Sequence, residues 1–238
     1  MSRKEDREIV LGNMVTALNM LEKSRDFALV IPEIRASLAF ATPWAKNVND
    51  VAGVEGRIVA VGGYPRASSI PAFGASTHMA GLILDVRGYD PEISAAMNFK
   101  CNQEIIGILK EYAGEKGFKF GMVDRNMPAP PGYNTQVSHW RIRYMIEKLG
   151  GVPRIFYENE GMGREQLSIA LGKDAVEVTK MALEIARRYR GEDKKIRTVI
   201  ARSPDVIGTW QSPVAHIQQE LQKHFPIVGT LRFPLSRE

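Results

Sequence analysis

Between residues 4 and 23, apolar side chains recur every three or four positions, at Val10, Met14, Leu18 and Leu21, with charged residues between them. That period predicts one amphipathic helix. Pro32 interrupts the pattern, after which 36–41 reads as a short buried strand, 44–49 as a loop and 54–61 as a second strand bounded by glycines. Residues 64–73 hold Pro65, Pro71 and two serines and read as a connecting loop. Met79, Leu82, Ile83 and Val86 favour a helix capped by Ser76 or Thr77 and ended by Gly88, with a buried strand as the alternative. Asp90-Pro91-Glu92 opens a further short helix through Met97.

The second half repeats the alternation. A helix over 103–112 is capped by Asn102 and stopped by Gly114 and Gly117, and a strand over 118–123 follows. Residues 126–134 hold three prolines and a glycine and read as a mobile flap. Then come a helix over 138–149 stopped by Gly150-Gly151, strands over 152–157 and 166–171, and a strong helix over 175–190 capped by Asp174. Residues 191–195 read as a polar linker to a strand (197–201), a helix (212–224) and a last strand (227–233). The expected class is α/β: a three-layer sandwich whose mixed or mainly parallel sheet is covered by helices. The expected division is one domain over 1–190 and an extension over 191–238 packed on it. At 238 residues the chain is long enough for a sizeable core.

Net charge is +5, from 32 basic and 27 acidic residues spread along the chain. A solvated surface carries such an excess, and so does a binder of small anions. The lack of a basic stripe turns expectation away from nucleic acid. Cys101 is the single cysteine, so no intrachain disulfide forms, and the expected setting is a reducing cytoplasm. The first residues are charged rather than signal-like, and no apolar run approaches a membrane span.

Candidate chemistry gathers between Asp50 and His78. Ligands of such sheets bind beyond strand ends, where loops meet helix N-termini. Gly62-Gly63 follows a predicted strand, and Gly74-Ala75-Ser76-Thr77 precedes a predicted helix whose N–H groups suit a phosphate. Read alone, Gly62-Gly63 is equally a plain turn and His78 a partly buried imidazole. Arg57 beside Gly56 is either a surface charge or, if turned into a cleft, a planar fork matched to phosphate oxygens. Asp124-Arg125 and the 158–163 loop also follow strands. Asp124, Glu158 and Glu160 are candidate carboxylates for a metal whose ligands the sequence leaves open. There is no Walker loop or dinucleotide fingerprint, and His139, His216 and His224 lack zinc-like spacing.

Several segments in order resemble the ThiN-type thiamine-phosphate synthase domain. They are Leu29-Val30-Ile31-Pro32-Glu33, Asp50-Val51-Ala52-Gly53-Val54-Glu55-Gly56-Arg57-Ile58-Val59, Phe73-Gly74-Ala75-Ser76-Thr77-His78, Asp90-Pro91-Glu92-Ile93, Ala95-Ala96-Met97-Asn98, Asp124-Arg125, Gly150-Gly151-Val152-Pro153 and Gly172-Lys173-Asp174. Together they span about residues 8–190. Departures are Ser37 where the family usually has Asn, and Gln166 where a Pro commonly follows the Glu matching Glu165. The family often joins this domain to a pyrimidine kinase or helix-turn-helix domain, and this chain looks like a standalone form. The resemblance implies joining of hydroxymethylpyrimidine diphosphate to hydroxyethylthiazole phosphate, with Arg57 and His78 as the catalytic pair. The expected phosphate-binding residues are Gly62, Gly63, Gly74, Ala75, Ser76 and Thr77; Asn98, Asp124, Arg125 and Glu165 are expected to bind substrate. Mg²⁺ is the expected cofactor from the diphosphate chemistry. Phosphorylated small molecules are the expected partners, with a homodimer also expected and neither nucleic acid nor membrane. The alternative from a different class is a non-catalytic sensor of thiamine phosphate or a related ester.

Overall fold

The computed structural model describes residues 2–134 and 139–202. Helix α1, Arg3–Glu22, opens on a capping box in which Ser2 and Glu5 each accept the other's main-chain N–H. It buries Val10, Met14, Ala17, Leu18 and Leu21, the stripe its spacing predicts. A single turn, α2 (Arg25–Ala28), leads to the sheet. The strands are β1 Leu38–Ala41, β2 Val51–Val54, β3 Ile58–Val61, β4 Tyr64–Ala67, β5 Pro71–Phe73, β6 Ala95–Lys100, β7 Phe120–Val123, β8 Ile155–Glu158 and β9 Leu167–Gly172. The remaining helices are α3 Thr77–Arg87, α4 Gln103–Lys116, α5 Trp140–Leu149 and α6 Ala175–Arg202.

Among the described residues, seven strands form one sheet in the order β5-β2-β1-β6-β9-β8-β7, and β3 and β4 form a separate hairpin. The sheet is mixed: β7 and β8 run parallel, and the other pairs are antiparallel. Alternation along the strands fills both sides of it. Leu38, Phe40, Met97 and Phe99 pack with Met14 and Leu18 of α1, Leu109 of α4 and Met181 of α6. Ala39, Ala41, Ala96 and Ile169 pack with Leu82 and Ile83 of α3 and Ile142 and Ile146 of α5. The result is the expected three-layer sandwich.

Four expectations give way. The strand over 54–61 is two strands, because Arg57 N–H closes a tight turn onto the Val54 carbonyl (3.1 Å) with Gly56 at φ 71°. The loop over 64–73 contains β4 and β5; Pro71 is tolerated as the first residue of an edge strand. The helix from Asp90 through Met97 is a turn followed by β6. Asp90 Oδ1 accepts the Glu92 N–H (3.0 Å), and the apolar run that follows becomes a central strand buried on both faces, which erases alternation. The linker over 191–195 and strand over 197–201 are continuous helix to Arg202. The residues to Gly191 form one compact unit, and a second unit begins at Glu192. The expected elements over 212–224 and 227–233 lie outside the described residues.

Candidate functional site

A cavity of about 840 Å³ opens at the end of the sheet where β7 and β8 finish and β1 and β9 begin. Its wall carries Arg35, Arg57, Arg125, Arg141, Arg164, His78 and His139, against two carboxylates, Glu158 and Glu165. An excess of cations in a concave, partly desolvated site favours an anionic ligand.

Arg57 and Arg35 enter from adjoining turns. Both have positive φ, 70° and 73°, a backbone region that side chains with a Cβ seldom adopt. Each guanidinium reaches the other's segment: Arg57 Nη1 donates to the Ile34 carbonyl at 2.6 Å, and Arg35 Nη1 to the Gly56 carbonyl at 3.2 Å. The Ala36–Ile58 bridge ties the same segments together. Two strained residues clasped at a cavity rim fit the pattern in which strain is kept at functional positions.

The N-terminus of α3 faces the same space. Ser76 caps the helix without a side-chain hydrogen bond, and Ala75, Ser76, Thr77 and His78 line the cavity. A helix start has N–H groups without intrahelical partners and a partial positive charge, both suited to phosphate oxygens. Gly53 of β2 permits this placement, since a Cβ there would fall 2.7 Å from the Ser76 Cβ.

His78 is open to the cavity, yet protein surrounds that cavity closely enough to make charging the ring costly. Burial, foremost, lowers its pKa below the ordinary 6.5; His139 adds to this, Glu158 opposes it, and Arg164 and Arg125 lower it further. His139 Nε2 approaches His78 Nδ1 at 3.4 Å, and His139 Nδ1 meets Asp85 Oδ2 at 3.0 Å.

Arg125, at the end of β7, is bonded through Nε and Nη2 to the buried Glu158 carboxylate, with Nε at 2.9 Å. Its Nη1 donates to the Glu165 carbonyl at 2.6 Å. The Glu165 carboxylate accepts the N–H groups of Ile34 (2.7 Å) and Glu33 (3.2 Å), anchoring the segment that Arg57 grips. Asn98 is buried and accepts the Ser37 N–H through Oδ1. Arg125, Glu158, Glu165 and Asn98 form part of the wall.

The structure therefore brings together Arg57, His78, Ala75, Ser76, Thr77, Asn98, Arg125 and Glu165. Gly62 and Gly63 lie elsewhere, as the two-residue turn of the β3–β4 hairpin at φ 58° and 77°, the conformation such a turn demands. Gly74 lies outside the lining, beside Asn49 Oδ1, at φ 80°. Asp124 ties its loop to the one after β8, accepting from Asn159 Nδ2 (2.8 Å) as well as the Asn126 N–H (2.9 Å). The first of these bonds leads in lowering its pKa. The sequence reading missed Asp85, Arg35, Arg141, Arg164 and the cavity role of His139. Among the described residues, no group of three His, Cys, Asp or Glu side chains is arranged to hold a metal. Among the described residues Glu158 is engaged by Arg125 and Glu165 by main-chain N–H groups, so the cavity wall does not fit a resident Mg²⁺. No helix among the described residues is long and apolar enough to cross a membrane.

Residues 13–184 match the family described as thiamine-phosphate synthase ThiN. The chain belongs to the ThiN family. A bifunctional thiamine biosynthesis protein, ThiDN, of Methanocaldococcus jannaschii is 36% identical over 186 residues, covering 77% of this chain and 42% of that protein. The thiamine-phosphate synthase ThiN of Methanothermobacter thermautotrophicus is 29% identical over 182 residues, covering 76% of this chain and 94% of its own length. The chain thus spans under half of one curated relative and nearly all of the other. Among solved structures, the C-terminal domain of protein MJ0236 superposes with a TM-score of 0.68 at 36% identity, over 77% of this chain and 97% of that one. The C-terminal domain of a phosphomethylpyrimidine kinase gives 0.67 at 28%, over 76% and 99%. The sandwich is therefore that of a ThiN domain.

Proposed function

We propose that the protein is a thiamine-phosphate synthase, joining hydroxymethylpyrimidine diphosphate to hydroxyethylthiazole phosphate and releasing diphosphate. The observation that carries this reading is the meeting of Arg57, His78 and the α3 N-terminus in one cation-rich cavity of a ThiN domain.

In the reaction, the thiazole nitrogen forms a bond to the pyrimidine methylene carbon as that carbon's bond to the diphosphate oxygen breaks. The aminopyrimidine delocalises positive charge onto its ring, so no protein nucleophile is needed. The protein's task is to hold the ends and stabilise negative charge growing on the leaving group. Arg57 and the first N–H groups of α3 serve that charge, and His78 donates to the departing oxygens. Val54, Val123, Trp140 and Ile142 offer apolar surface to the two rings. Mg²⁺ enters this reading as an ion carried by the substrate's own phosphate oxygens, in keeping with that metal's habit. The reading also includes a cytoplasmic setting and a homodimer.

The test is purified protein with both substrates and Mg²⁺, followed by detection of thiamine phosphate. Product over many turnovers supports the synthase. Thiamine phosphate bound without product supports the sensor, and neither result directs attention to another phosphorylated substrate.

A further inference from the structure

The geometry points to His139 as a positioning residue that fixes the proton of neutral His78 on Nδ1 and leaves Nε2 for the ligand. The arrangement begins on one face of α3, where His78, Gly81 and Asp85 follow at i, i+3 and i+7. Gly81 leaves the face open, and the His139 ring lies across the gap: a Cβ on Gly81 would stand 3.1 Å from its Cε1. From there the ring reaches both neighbours on α3, Asp85 Oδ2 at 3.0 Å and His78 Nδ1 at 3.4 Å. His139 holds this position from the N-cap of α5 at φ 59°, a backbone form uncommon for histidine.

Hydrogen-bond roles then follow from the carboxylate. Arg143 Nη2 donates to Asp85 Oδ1, and the other oxygen of this acceptor-only carboxylate stands beside His139. The proton of neutral His139 is therefore on Nδ1, and its Nε2 presents a lone pair toward His78. His78 answers with Nδ1–H. Its own Nε2, across the ring, is the nitrogen that takes or gives a proton. The other charged groups acting on His78 are Glu158 at the end of β8, Arg125 after β7 and Arg164 before β9. None of them replaces the Nδ1 contact. The consequence for diphosphate departure rests on the synthase reading, because a protonated Nε2–H would then face the leaving oxygens. The tautomer itself does not rest on it.

The test is long-range ¹H–¹⁵N correlation spectroscopy of the full chain at a pH where both imidazoles are neutral. His78 is expected as the Nδ1–H tautomer. In His139→Asn, whose shorter side chain tolerates positive φ, His78 is expected to switch to the Nε2–H form that imidazole favours in water. Gly81→Ala, a helix-compatible change that dislodges the His139 ring, is expected to produce the same switch if His139→Asn fails to fold. An Nε2–H tautomer in the unaltered protein, or no change in the folded variant, overturns the proposal. A chain without synthase activity still reports its tautomer, so failure of the functional reading is read separately.

Discussion

Arg57 Nη1 and the Ile34 carbonyl are joined by a hydrogen bond of 2.6 Å, from a residue whose own backbone sits at φ 70°. The side chain is thereby set in the cavity wall at some backbone cost. Arg57→Ala, like His78→Ala, is expected to lower turnover at least tenfold, a conservative share of the about 3–4 kcal/mol that one well-placed donor contributes. Arg57→Gly separates the effects. Glycine relieves about 1 kcal/mol of left-handed strain while the lost hydrogen bond costs about as much, so melting should change little while turnover falls. Arg57→Lys is expected to recover only a small part of the activity, since a point charge lacks the fork. Calorimetry and steady-state kinetics on the three Arg57 variants check this; near-normal turnover in Arg57→Gly removes the residue from the chemistry.

Gly53→Ala tests the close approach of β2 to the α3 cap. The added methyl would meet Ser76 Cβ at 2.7 Å, with the Ser76 main-chain nitrogen at 3.3 Å, so relief requires moving the helix start. The expected loss is about 1–3 kcal/mol of stability, as for other small-to-large changes in packed sites. Phosphate affinity is expected to weaken as well, because the N–H groups of Thr77 and His78 shift with the cap. A variant that melts early but binds diphosphate normally would separate packing from binding and refute the second half.

The fold was legible where one face is wet. Val10, Met14, Leu18 and Leu21 announced α1 because charges fill the opposite side, and Asn102 and Asp174 announced caps, each accepting the N–H three residues on. β6 was not legible. Both of its faces are covered, so apolar residues fill Ala95, Ala96, Met97 and Phe99 without period two around the buried polar Asn98, and Pro91 mimicked a helix start. Arg57 and His78 were singled out through the ordered motifs, since neither has a local pattern of its own. His139 escaped because its partners are 54 and 61 residues away and it stands outside any regular period. The available signal was Gly81, a glycine inside a helical pattern between two polar residues of one face, which marks a site of close packing.

Stability should report His78 through pH. Its folded pKa is lowered, so between that value and the ordinary 6.5 the unfolded chain holds a proton that the native protein lacks. Its contribution is complete above 6.5 and is lost as pH falls toward the folded pKa. Below that value both states are protonated and the dependence ends. His78→Gln, compared with the unaltered protein by thermal melts from about pH 8 to 5, is expected to flatten that part of the profile. Anionic ligand reverses the tendency by favouring the charged ring, so diphosphate binding should take up a proton, seen by calorimetry in buffers of different ionisation enthalpy. An unchanged profile in His78→Gln assigns the pH dependence elsewhere.

Arg125 and Glu158 form the most enclosed ion pair on the cavity wall, their side chains 12% and 9% exposed. Such a pair adds little net stability over a neutral packed replacement, yet removing one member leaves a buried charge uncompensated. Arg125→Met is therefore expected to cost about 3 kcal/mol or more. The loss should also loosen the Glu165 segment, because Arg125 Nη1 holds its carbonyl and Glu165 in turn holds the Ile34 N–H beside Arg57. Pairing Arg125→Met with Glu158→Gln removes the stranded charge, so the double variant should be more stable than Arg125→Met alone. Urea denaturation of the four members of the cycle measures the coupling. Single effects that simply add, within about 0.5 kcal/mol, would mean that solvent already screens the pair, and the link from Arg125 through Glu165 to Arg57 would then be mechanical, resting on its three hydrogen bonds alone.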